Sequence, residues 1–133
     1  MLNNNQQIAN NDQPPMTETT KKIYNLEERT YEFAKNVAFF CKDLPKIASN
    51  IEYGKQVIRS SGSVGANYIE ANEALGKKDF KMRIRICLKE AKETAYWLRL
   101  IVDTNEVSFK QSGVSLFQEA TELKKIYSSI LLK

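Results

Sequence analysis

Apolar residues recur at three- and four-residue spacings over most of the chain, the period of amphipathic helices and not the strict alternation of strands. Phe33, Val37, Phe40, Cys41 and Leu44 follow it and place a first helix from near Leu26 to just before Pro45, whose ring blocks continuation. A second helix is expected to start at Ser49, which stands at capping-box spacing from Glu52. It should run toward Leu75 with Ile51, Gly54, Ile58, Ser61, Gly65 and Tyr68 on one face. The third, from near Asp79 to Asp103, repeats Ile84, Leu88, Ala91, Ala95, Leu98 and Val102 in alternating four- and three-residue steps. A loop containing Gly113 then leads to a fourth, with Leu116, Ala120, Leu123, Tyr127 and Ile130 in the same rhythm and Ser115 and Gln118 as a candidate cap. Four such helices on short connections bury their stripes most simply in an all-α, up-and-down antiparallel four-helix bundle.

The N-terminal segment breaks the pattern. Eight of residues 1–13 are Asn or Gln, followed by Pro14, Pro15 and a run of threonines. Such a segment cannot bury enough apolar surface to offset the entropy of ordering it. Residues 1–25 are therefore expected to form a disordered tail and residues 26–133 the bundle. No apolar run is long enough to cross a bilayer and no secretory layout opens the chain, so a cytoplasmic protein without membrane association is expected.

Histidine is absent. That excludes Ser-His-Asp and Cys-His nucleophilic sites and the Glu-x-x-His pair of di-iron bundles. Two cysteines, Cys41 and Cys87, cannot complete a four-ligand zinc site alone and fall at apolar-periodic positions, so they read as small core residues. Glu70 with Glu73 and Glu90 with Glu93 set carboxylates one turn apart, a spacing that ordinary solvated helix faces share. The expectation is a protein that is not an enzyme and holds no metal or cofactor.

Charge adds the first functional hint. The whole chain carries +4, but Lys77 to Lys92 contains seven basic residues against Asp79 and Glu90, a local +5. On a helical wheel Lys78, Lys81, Arg85, Lys89 and Lys92 gather into one stripe beside the apolar seam, and Tyr96 extends it one heptad beyond Lys89. A coherent basic face can neutralise successive phosphates, and a tyrosine in line offers a surface for base stacking. On the opposite flank Ile86, Trp97 and Ile101 point away from the seam among charged residues, a composition suited to a subunit interface or to simple packing over a helix edge.

The run Arg59-Ser60-Ser61-Gly62-Ser63-Val64-Gly65-Ala66-Asn67 looks at first like a phosphate loop. It lacks the Lys-Ser/Thr ending and keeps apolar residues in helical phase on both sides, so it reads as a small-residue surface for close helix approach. With Glu70-Ala71, Asp79-Phe80, Leu88-Lys89-Glu90-Ala91, Glu93-Thr94 and Tyr96-Trp97-Leu98, it makes the chain resemble a known family. These are the small bacterial four-helix bundles first noted as products of intervening sequences in 23S ribosomal RNA genes. The resemblance spans Leu26 to Leu132 and implies a ring-like homopentamer. It extends to the accessory variability proteins of diversity-generating retroelements, which bind nucleic acid and a reverse transcriptase. No catalytic residue or cofactor comes with it, and the Asn/Gln-rich tail departs from its compact pattern. The expected function is a non-enzymatic homo-oligomeric scaffold that binds RNA, DNA or a nucleoprotein partner such as a reverse transcriptase through the basic face. The alternative is an adaptor that holds an acidic protein there without nucleic acid.

Overall fold

The computed structural model describes residues 25–133, and the expected tail lies outside them but for Asn25. Four helices follow in order: α1 (Leu26–Asp43), α2 (Ala48–Asn72), α3 (Lys77–Asp103) and α4 (Lys110–Leu131), with a 3-10 turn at Val107–Phe109 before α4. Consecutive helices pack on one another and α1 touches α4 more sparingly, which is the up-and-down antiparallel bundle. The core threads all four through Leu26, Phe33, Val37, Val57, Val64, Ile84, Cys87, Leu98, Ile101, Leu123 and Tyr127.

Local chemistry accounts for most boundaries. Pro45 stops α1, whose C-cap Leu44 turns extended and donates its N–H to Cys41 O at 3.2 Å. The capping box at Ser49 does not form: α2 already begins at Ala48 behind Ile47, with no side-chain cap. Asn50 is engaged instead. Its Nδ2 donates to Pro45 O and to Asn105 Oδ1, each at 2.9 Å, and Asn105 Nδ2 donates back to Asn50 Oδ1 at 2.8 Å. This reciprocal amide pair joins the α1–α2 turn to the α3–α4 turn. The cap expected from Ser115 and Gln118 is also absent, because both residues lie inside α4.

The small residues of α2 act where a neighbour needs room. A Cβ on Gly65 would lie 2.9 Å from Thr30 Oγ1, so α1 crosses close at that point. Ser60 and Ser61 are buried, and Thr94 Oγ1 of α3 donates to Ser60 Oγ at 2.8 Å. Gly62 is the exception, since a Cβ there would meet nothing among the described residues. The buried face of α2 therefore runs through Gly54, Val57, Ser60, Ser61, Val64 and Ala71, and leaves Ile51 and Ile58 outside.

Gly113 corrects the sequence reading in the opposite sense. It lies within α4, buried, where a Cβ would overlap Val102 Cγ2 and crowd Phe40 Cζ at 3.2 Å. Gly113→Ala is expected to destabilise the bundle by up to about 2 kcal/mol, because overpacking of roughly 1–3 kcal/mol is only partly offset by the helix-propensity gain of about 1 kcal/mol. Val102→Ala should relieve much of that loss in the double variant. Strict additivity of the two unfolding free energies would argue against the contact.

Candidate nucleic-acid interface

The third helix supplies a basic surface because its apolar residues commit one side to the core and leave the rest to water. Ile84, Cys87, Ala91, Thr94, Leu98 and Ile101 are buried. Lys78, Arg85, Lys89 and Lys92 are exposed, Lys81 is half-buried, and Tyr96 stands 58% exposed at the end of the row. All six expected residues thus lie along one helix, in the sequence-predicted stripe. Arg99 is also exposed and falls seven residues after Lys92, so it prolongs the row. Its spacing carried the signal, which counting basic residues only as far as Lys92 missed.

Charge on this stripe is not taken up in ion pairs, although Lys89 acts at longer range on Glu93. None of Lys78, Lys81, Arg85, Lys89, Lys92 and Arg99 makes an ion pair among the described residues. Glu90, which offset the local charge in the sequence count, is buried and accepts from Arg59 Nη1 of α2 at 3.4 Å. Arg59 Nη2 donates to Glu93 Oε2, so one guanidinium of α2 serves two carboxylates of α3. Glu90 and Glu93 are therefore not a solvated pair, whereas Glu70 and Glu73 are exposed. Arg83, beside the stripe, is held by Asn67 Oδ1 at 3.0 Å.

The opposite flank divides. Ile101 is fully buried within the single chain, which corrects the expectation that it faces a partner: its position meets the core that α3 shares with α4 and α2. Ile86 and Trp97 are half-buried. Trp97 packs over the helix edge, with its ring centroid 5.8 Å from that of Tyr53 and 5.1 Å from that of Tyr96, the latter edge-on. Its Nε1 donates to Glu93 Oε2 at 3.1 Å.

Burial raises the Glu93 carboxyl, but the hydrogen bonds from Trp97 and Arg59, with the Arg59 and Lys89 charges, outweigh it and hold the group below its ordinary range. A depressed carboxyl stabilises the fold above its unfolded pKa and loses that contribution as pH falls through the folded value. Unfolding stability should therefore drop on acidification from pH ~5 to ~3. Trp97→Phe should lose less over that interval than wild type, as read from urea midpoints at both pH values. Equal losses would show that the bond does not set the titration.

The cysteines behave as core groups. Burial pushes the Cys87 thiol up to about 12 and the Cys41 thiol up to about 11, so both stay neutral. Cys87 Sγ donates to Val64 O at 3.4 Å. Among the described residues no cluster of three potential metal ligands forms, and no helix is long and apolar enough to cross a membrane.

Fold and surface define a class: a small helical bundle with a solvent-facing cationic helix. The family model of the 23S rRNA-intervening sequence protein matches residues 20–129, and the chain belongs to that family. A solved structure from Bacteroides thetaiotaomicron, described as a protein of unknown function from the S23 ribosomal protein family, is similar at 33% identity. The match covers 80% of this chain and 98% of that one, with a TM-score of 0.71. No curated protein matches the chain.

Proposed function

We propose that this protein is a non-enzymatic, homo-oligomeric scaffold that binds RNA or DNA through the α3 stripe, in the cytoplasm. The observation that carries this reading is a row of exposed cations that form no ion pair among the described residues, running from Lys78 through Arg85, Lys89 and Lys92 to Arg99. Lys78, Lys81, Arg85, Lys89 and Lys92 meet phosphates, and Tyr96 offers a ring on which a base stacks. In a ring-like homopentamer, as the resemblance implies, the stripe is repeated and weak contacts add through multivalency. Half-buried Ile86 and Trp97 are the proposed contacts between copies. Kinship with the accessory variability proteins makes a reverse transcriptase bound to nucleic acid the proposed protein partner.

Binding to single-stranded RNA and DNA, measured across a salt series, tests the reading. Each neutralised phosphate releases condensed counterions, so five contacts per subunit give a slope of log K against log salt of roughly −3.5 on single strands, against roughly −4.5 on a duplex. A flat salt dependence, or no binding to either polymer, overturns it. Salt-sensitive binding to an acidic protein alone would assign the stripe to the adaptor alternative.

A further inference from the structure

The groove between α1 and α2 has no part in the reading above. It encloses about 640 Å³. Ala38, Cys41 and Leu44 line it from α1 and its end, and Ile51, Gly54 and Ile58 from α2. Leu44 is buried, whereas Ile51 and Ile58, seven residues apart on α2, remain 44% and 47% exposed. Gly54 keeps the wall low: a Cβ there would come no nearer than 4.0 Å to Cys41 Sγ. Cys41 stays neutral at this floor, since burial raises it against the opposing charge of Lys46.

Among the described residues, the charged groups that line the groove are all of one sign. Lys42, Lys46, Lys55 and Arg59 line it, and no carboxylate does. Arg59 is committed to Glu90 and Glu93, and Lys46 Nζ donates to Lys42 O at 3.1 Å at the end of α1. Lys55 has only exposed Glu52, at 3.8 Å, and Lys42 forms no ion pair among the described residues. One turn beyond Ile58, Gly62 is exposed and a Cβ on it would touch nothing among the described residues, so no contact among them compensates the helix propensity that it gives up.

We propose that this groove docks an amphipathic helix with acidic flanks, supplied by a different polypeptide. Asn50 to Arg59 spans about 14 Å of α2, which accommodates two to three turns of a partner helix. Apolar side chains of that partner, at three- and four-residue steps, enter over Gly54 and between Ile51 and Ile58, the helix-in-groove mode. Carboxylates on its flanks meet Lys42 and Lys55. A second copy docking two-fold through this same face would bring lysines against lysines, and a copy docking head-to-tail through a different face, as in a ring, is read by the assembly mass in the test below. The site shares no residue with the α3 stripe and would stand if that stripe proved not to bind nucleic acid.

The test uses the full chain and a fluorescein-labelled helical peptide with leucines at i, i+3 and i+7 and glutamates on both flanks, read by anisotropy. A control peptide carries lysines in place of the glutamates. Wild type should bind the glutamate peptide at least about tenfold more tightly than the lysine peptide, and Ile58→Glu should weaken the former about tenfold. Lys42→Glu with Lys55→Glu should reverse the preference while leaving single-stranded nucleic-acid binding in place, which keeps this test separate from that of the α3 stripe. Circular dichroism confirms that each variant is folded. The proposal is overturned if wild type does not bind the glutamate peptide, or if the folded variants bind both peptides as wild type does. It is equally overturned if Ile58→Glu lowers the mass of the assembly in light scattering, since the groove then belongs to a second copy.

Discussion

The double variant Arg85→Glu, Lys89→Glu should bind single-stranded RNA and DNA at least about 60-fold more weakly than wild type at ~0.1 M salt. The size follows from counterion release. Each neutralised phosphate contributes a factor near the inverse salt concentration raised to ~0.9 for a duplex or ~0.7 for a single strand, so two lost contacts remove about 25- to 60-fold. Reversal does more than remove charge, because two carboxylates then face the phosphates, and this takes the expected effect to the upper figure or beyond. Both residues are exposed and outside the core, so the melting temperature should change little. Filter binding or anisotropy with the two polymers reads the affinity, and circular dichroism reads the fold. A folded double variant with wild-type affinity would remove α3 as the binding face.

The largest loss of stability is expected from Ile101→Ala. Ile101 is fully buried among core residues, and truncating a buried isoleucine removes transfer free energy and leaves a cavity, together about 2–5 kcal/mol. Because its neighbours belong to its own chain, denaturant midpoints should fall by a similar amount at low and high protein concentration. Assembly mass should persist until the helices melt. A variant with wild-type melting but reduced mass would return Ile101 to a subunit interface. Trp97→Ala provides the contrast, since that side chain is only partly buried within its own chain and its loss acts first on association.

Much of the bundle was legible in the sequence where apolar periodicity was unbroken. The start of α1 at Leu26, its end before Pro45 and the end of α3 at Asp103 all follow from stripes and a proline. The reading failed where small or polar residues replace apolar ones. Val57, Ser60 and Val64 form the buried side of α2, but serine and glycine carry no hydrophobic signal, and the eye follows Ile51 and Ile58 to the wrong face. Gly113 reads as a loop residue because glycine in a helix is costly, and only the nearness of Val102 and Phe40 gives it a reason to lie within α4. Ile101 was set among outward residues because the wheel was centred on Ile84 and Leu88. Burial through Cys87 and Thr94 rotates the true seam toward Ile101. The basic stripe was legible throughout because long cations on exposed positions obey the same period as the seam, whereas the Arg59 link to Glu90 and Glu93 joins residues 31 and 34 positions apart and has no local signature.

The polar contacts between helices carry a further consequence, for the uniqueness of the native state. Apolar stripes of similar residues tolerate a slide of one helix along another by a heptad, since leucine and alanine still meet leucine and alanine. Thr94 on Ser60, Arg59 on Glu90, and the Gly65 notch over Thr30 tolerate no such slide. Shifting α2 against α3 by seven residues would part buried Glu90 from Arg59 and break the Thr94–Ser60 contact, and shifting it against α1 would set a side chain where Gly65 leaves room. Each misaligned arrangement is thus penalised at several separate points, so that one alignment of the four helices is selected from a set that their greasy faces alone would leave nearly degenerate.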